Sequence, residues 1–147
     1  MRKPFWGALA LVLGCAGSAP EPTSATAETP TTFAEQVALG QTLYAESCAG
    51  CHGDAGQGSD GAPPVVGLAK GALPLDPPAN AKFRKTRFET VADVAAFVTA
   101  TMPPRDPGSL GDEAYWSILA FDLKANGIEL DEKLGPAVAA KLVIPRD

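Results

Sequence analysis

Of the residue types that carry chemistry, this sequence has few: one histidine, three cysteines and two methionines in 147 residues. It has no basic excess, with 12 Lys+Arg against 17 Asp+Glu, which disfavours nucleic acid as a partner. No apolar run reaches the roughly 20 residues a membrane-spanning helix needs. No segment shows the clean alternation of a half-buried strand, and no internal repeat is visible. A structural zinc site needs four ligands, usually from two separated pairs. Cys48, Cys51 and His52 stand together, and beyond the N-terminal region no further Cys or His follows.

What is present is unevenly distributed. Arg2 and Lys3 precede the apolar run "PFWGALALVLG", and Cys15 follows it directly. A basic start and a short apolar centre predict a secretory signal over residues 1–14. The "LVLGC" sequence resembles the lipobox of bacterial lipoproteins, in which Cys15 receives lipid and becomes the new N-terminus. Residues 15–32, rich in Ser, Pro, Thr, Ala and Glu, cannot bury a core and are expected to form a flexible tether. The folded domain is then 33–147. Removing residues 1–14 takes away Arg2 and Lys3 and no acidic residue, so the formal charge moves from −5 to −7.

Three helices are expected in that domain. Thr32 and Glu35 have capping-box spacing ahead of "FAEQVALGQTLYAES". Phe33, Val37, Gly40, Tyr44 and Cys48 recur at helical intervals. Thr90 and Asp93 cap a second helix, which Pro103 and Pro104 must end because neither has an N–H to donate. Asp112 and Glu113 begin a third, with Trp116, Leu119 and Leu123 on one face and Tyr115, Ile118 and Asp122 beside it. Asn126-Gly127 stops it. The Gly/Pro-rich stretch between the first two helices is long for a compact domain unless something other than protein holds it.

The chemistry concentrates in "SCAGCHG", Ser47–Gly53. A redox pair of the thioredoxin kind expects a strand–helix–strand context that is missing. A Cys48–Cys51 disulfide would close too small a ring to stabilise much and would leave His52 unexplained. Cys-x-x-Cys-His is the c-type haem motif. Two thiols on one tight turn each add to a vinyl group on one porphyrin edge, and the next residue, His52, lies under the iron as an axial ligand. Met102, the only thioether left once Met1 departs, lies fifty residues further on in "TMPP". It is the candidate sixth ligand.

From about Phe33 to Ile128 the chain resembles a class I cytochrome c, on "GQTLYAESCAGCHG", "TMPP" and "YWSILAFDLKANG". The tail "LDEKLGPAVAAKLVIPRD" is similar to that of bacterial members. The resemblance implies an all-α class I cytochrome c fold, with three main helices and long loops around one covalently bound haem c. It implies that Gly40 and Tyr44 cross the last helix on the face carrying Tyr115, Trp116 and Leu119. It implies that Pro63 or Pro64 offers a carbonyl to His52, fixing its tautomer.

The function expected is one-electron transfer on the periplasmic side of a bacterial membrane, through a lipid anchor. A dehydrogenase or quinol-oxidising complex would be the donor and an oxidase or reductase the acceptor. A gas or peroxide sensor or enzyme would require Met102 to leave the iron, and a fixed subunit of a larger redox complex is a further alternative. The basic cluster Lys82, Arg84, Lys85 and Arg87 is expected to be either a solvated loop or a patch for docking or haem propionates.

Overall fold

The computed structural model describes residues 29–70, 72–73, 75–77, 79, 81 and 84–145. The expected signal segment 1–14, Cys15, most of the expected tether 15–32 and Lys82 lie outside the described residues. The described chain is all-α, with helices α1 (Phe33–Ser47), α2 (Ala49–His52), α3 (Val91–Thr101), α4 (Asp112–Ala125) and α5 (Pro136–Ala139), and a single 3₁₀ turn at Leu68–Lys70. Two isolated bridges, Ser59–Ala62 and Thr90–Val143, are the extent of β pairing among the described residues.

Local chemistry sets the helix ends. At α1 the Glu35 amide donates to the Thr32 hydroxyl (3.2 Å), while Glu35 Oε2 accepts from the Thr32 amide (3.1 Å). These bonds satisfy amides that a helix start otherwise leaves orphaned. The Thr31 amide (2.7 Å) and hydroxyl (2.9 Å), followed by the Thr32 amide, hold the Glu35 carboxyl below its usual pKa. Asp93 does the same for α3, accepting from the Glu89 and Thr90 amides at 2.8 Å. α4 closes in a Schellman arrangement: the Ile128 amide reaches the Leu123 carbonyl (2.9 Å) and the Gly127 amide the Lys124 carbonyl (2.9 Å), with Gly127 at φ +81°.

α1 packs chiefly on α4. Gly40 makes that possible, since a Cβ there would stand 1.9 Å from the Ser117 carbonyl oxygen. One turn on, Tyr44 meets Phe121 with ring centroids 5.1 Å apart. The crossing therefore falls on Ser117 and Phe121, rather than on the expected face of Tyr115, Trp116 and Leu119. Ser117 and Phe121 are themselves four residues apart, so the expected helix is right and its rotation differs. Leu119 and Leu123 instead join Phe88, Val91, Val94 and Leu134 in the main core.

The tail is stitched back by a buried amide. Gln36 donates to the Leu134 carbonyl (2.9 Å) and accepts from the Leu134 amide (2.7 Å), and both residues are buried. Pro30 is also buried, and its carbonyl accepts from Lys133 (2.7 Å). Within the basic cluster, the described residues Arg84, Lys85 and Arg87 each have a partner, Lys85 Nζ donating to the Ala81 carbonyl at 3.0 Å. Arg84 is 7% exposed, stacks 4.1 Å over Phe88 and donates to the Asp76 carbonyl, while Arg87 pairs with Asp76 at 3.7 Å. Arg84 alone departs from the solvated loop, because its flat guanidinium covers an aromatic face while keeping a hydrogen bond, whereas Lys85 and Arg87 are exposed as that reading expects.

Candidate haem site

Cys48, Cys51 and His52 occupy one helical turn. The amides of Cys51 and His52 both donate to the Cys48 carbonyl, at 3.1 and 2.9 Å. Offsets of three and four place all three side chains on one side of that turn. Both thiols are free; Cys48 is half-buried and Cys51 exposed. Burial pushes the Cys48 thiol up to about 11, and the negative charges of Asp122 and Cys51 add to the effect.

The loop after the turn folds back on it. The Gly58 amide donates to the His52 carbonyl (2.7 Å), and Gly58 sits at φ +84°, where a Cβ would meet the Pro64 nitrogen at 2.7 Å. That return brings the Pro63 carbonyl to 2.8 Å from His52 Nδ1. With a carbonyl as partner Nδ1 carries the proton, and Nε2 is the nitrogen available to a metal. Of the two adjacent prolines, Pro63 thus meets the histidine. The Pro64 carbonyl instead accepts from the Leu73 amide (3.1 Å). Tyr44 supports the same turn by donating to the Gly53 carbonyl (2.9 Å), and burial pushes its hydroxyl up to about 12.

Met102 is carried by a different element. It caps the C-terminus of α3 in extended conformation and is half-buried. Its carbonyl accepts from the Tyr115 hydroxyl at 2.6 Å. A buried side chain of α4 therefore holds the backbone that carries the thioether.

Between α3, α4 and the loop at 65–73 lies a narrow crevice of about 70 Å³, lined by Val65, Leu68, Val94, Val98, Leu119 and Asp122 among others. Pockets that hold drug-sized ligands run to about 300–1,000 Å³, so this crevice is too small for a porphyrin unless it widens. Asn126 decides what can move. Its side-chain oxygen accepts from the Gly67 (2.8 Å) and Leu68 (3.2 Å) amides, and its Nδ2 donates to the Val65 (3.0 Å) and Asp122 (2.8 Å) carbonyls. One side chain thus joins the crevice loop to the end of α4. Sequence reasoning sees Asn126 only as a helix stop, because partners about sixty residues away leave no local signal.

The donor set fits haem: two free thiols and a tautomer-fixed imidazole share one turn, and Cys48 falls in one apolar cluster with Val65, which also lines the crevice. Residues 35–121 match the family described as cytochrome c oxidase, cbb3-type, subunit III. The chain is 36% identical over 90 residues to a thiosulfate dehydrogenase of Stutzerimonas stutzeri (strain A1501), which is 58% of this chain and 26% of that protein. It therefore spans about a quarter of that relative's length. The crystal structure of the sulfane dehydrogenase SoxCD from Paracoccus pantotrophus is similar, with a TM-score of 0.56 at 26% identity, over 90% of this chain and 68% of that one. With the family match covering more than half of its residues, the chain belongs to the c-type cytochromes, in the family of the cbb3-type oxidase subunit III domain.

Proposed function

We propose that this domain is a one-electron carrier holding one haem c, attached through Cys48 and Cys51 and ligated by His52 and Met102. The observation that carries the proposal is the His52 Nδ1–Pro63 contact at 2.8 Å on the turn that bears both thiols. It orients the ring and raises the basicity of the nitrogen that would face iron. A haem with both axial positions filled cycles between ferrous and ferric states and offers substrate no open site.

The chain's own groups do the rest. The Tyr115 hydroxyl fixes the Met102 backbone. The aliphatic side chains of α3 and α4 that line the crevice, Val94, Val98, Leu119 and Leu123, would keep water from a bound haem. A thioether ligand raises the reduction potential, which suits an electron acceptor for a dehydrogenase.

The named relatives are a thiosulfate dehydrogenase and a sulfane dehydrogenase. We therefore assign the donor to a dehydrogenase of reduced sulfur compounds, with this domain as its electron-transfer module and an oxidase or reductase as acceptor. Export and a lipid at Cys15 would keep the module near a membrane. Among the described residues no helix is long and apolar enough to cross one.

The test is denaturing mass spectrometry of the holoprotein, followed by a potentiometric titration. The expected result is one haem retained under denaturation and a single one-electron wave, with covalent retention impaired in Cys48→Ala and Cys51→Ala. Haem that washes off, or retention unchanged in both variants, would overturn the assignment.

A further inference from the structure

Asp122 is the group that the electron-carrier reading leaves without a purpose. It sits on α4 between Phe121 of the helix crossing and Leu123 of the main core, and it lines the crevice among aliphatic side chains. The residue is half-buried as a whole, yet its Oδ1 is fully buried and has no hydrogen-bond partner among the described residues. A partnerless buried carboxylate oxygen is costly. Asn126 lies beside it but donates to the Asp122 backbone carbonyl, not to the carboxylate. The Asp122 charge acts on the Cys48 thiol, so the carboxyl lies within electrostatic reach of a residue that attaches the haem.

Resting on the reading given under Proposed function, we propose that Asp122 is a redox-linked proton site: it takes up one proton when the haem takes up one electron, and releases it on oxidation. The electron comes from a one-electron donor protein and the proton from solvent. A ferric haem core carries one net positive charge and a ferrous core none. An ionised Asp122 therefore stabilises the oxidised state, and on reduction the crevice holds an uncompensated anion unless the carboxylate binds a proton. The effect is strong because few solvent dipoles screen it there. Burial already pushes this carboxyl up to about 8, so its titration falls within reach of ordinary pH.

The other groups facing Asp122 do not mimic it. On α1, the Tyr44 hydroxyl is pushed up to about 12 and stays neutral. At the end of α1, the Cys48 thiol is consumed by the thioether bond under the same reading. The facing walls contribute Val65 and Leu68 from the loop and Val94 and Val98 from α3. Asp54 acts on Tyr44, and Asn126 is uncharged.

The experiment is a spectroelectrochemical titration of the full-chain holoprotein between pH 5 and pH 9, for wild type and Asp122→Asn. The expected wild-type potential falls as pH rises, by up to about 59 mV for each tenfold drop in proton activity. In Asp122→Asn that slope is abolished. A flat wild-type profile, or a slope that survives in the variant and so belongs to the haem propionates, overturns the proposal. A couple that is not one-electron, or a haem that is not low-spin, would instead defeat the carrier reading itself. A second measurement needs no variant. Reduced-minus-oxidised infrared difference spectra of wild type at pH 7, with isotope-labelled aspartate, should show a labelled protonated-carboxyl band appearing on reduction. Its absence contradicts the proposal.

Discussion

The α1–α4 crossing and the loop from Gly53 to Glu89 are built on opposite principles. At the crossing, backbone meets backbone. Gly40 has no Cβ to separate it from Ser117, and Tyr44 stacks against Phe121 one turn away. The contact is made by the chain alone. Among its described residues the loop has one 3₁₀ turn, and its fastenings include Gly58 to His52, Pro63 to His52, and Asn126 to residues 65–68. Val65, Leu68 and Leu73 of this loop line the crevice, which under the proposed function would widen for haem. The difference teaches a division of labour. The crossing stabilises the fold, while the loop orients the His52 ring through Pro63 and, under the proposed function, would draw its packing partner from the cofactor.

Breaking each region separately should give distinct signatures. The largest effect is expected from Gly40→Val. The added side chain cannot fit against the Ser117 carbonyl, and overpacking of this kind costs about 3 kcal/mol or more. Thermal unfolding should show a Tm drop large enough to leave little folded protein at 37 °C. Next is Asn126→Ala, which leaves the Gly67 and Leu68 amides and the Val65 carbonyl without their partner, at about 2–3 kcal/mol. Hydrogen exchange should quicken across residues 65–73 while α1 and α4 keep their protection. Equal loss of protection in both regions would contradict the separation.

Gln36→Ala removes both hydrogen bonds to Leu134 and should cost about 2 kcal/mol. The segment 128–145 should become sensitive to proteolysis before the helix crossing does.

The smallest effect belongs to the caps. Thr32→Ala should cost about 1 kcal/mol. The Glu35 and Asp93 carboxyls are both held below their ordinary pKa values by amides of the helix starts. Their contribution is therefore fully present above the unfolded values of 4.5 and 3.8 and is lost as pH falls through the lower folded values. Acid unfolding of Thr32→Ala should begin at higher pH than that of wild type.

The sequence revealed most where chemistry is local. Thr32/Glu35, Thr90/Asp93 and Asn126-Gly127 mark helix ends because their partners lie three or four residues away. Cys48, Cys51 and His52 are legible for the same reason. The helix crossing was only half visible. Periodicity places Gly40 and Tyr44 on one helix and the resemblance implies that they make the crossing, but neither fixes how α4 rotates against them, so Ser117 and Phe121 carry no signal. Gln36 reads as a surface polar residue until Leu134 arrives from the far end of the chain. Arg84 reads as part of a charged loop until Phe88 is seen beneath it. Asp122 shares a helical stripe with Tyr115 and Ile118, and no spacing rule says that its carboxyl ends in an aliphatic crevice.

The central claim is that His52 and Met102 close both axial positions of a covalently held haem. It is tested most directly by the visible spectrum of the holoprotein, oxidised, reduced, and reduced under carbon monoxide, beside Met102→Ala. The account predicts a low-spin c-type spectrum with a weak long-wavelength sulfur-to-iron band in the ferric form. Carbon monoxide should leave the wild type unchanged and bind the variant, in which the sulfur band is gone. A wild-type haem that is high-spin and binds carbon monoxide readily would contradict it and point to an open sixth position.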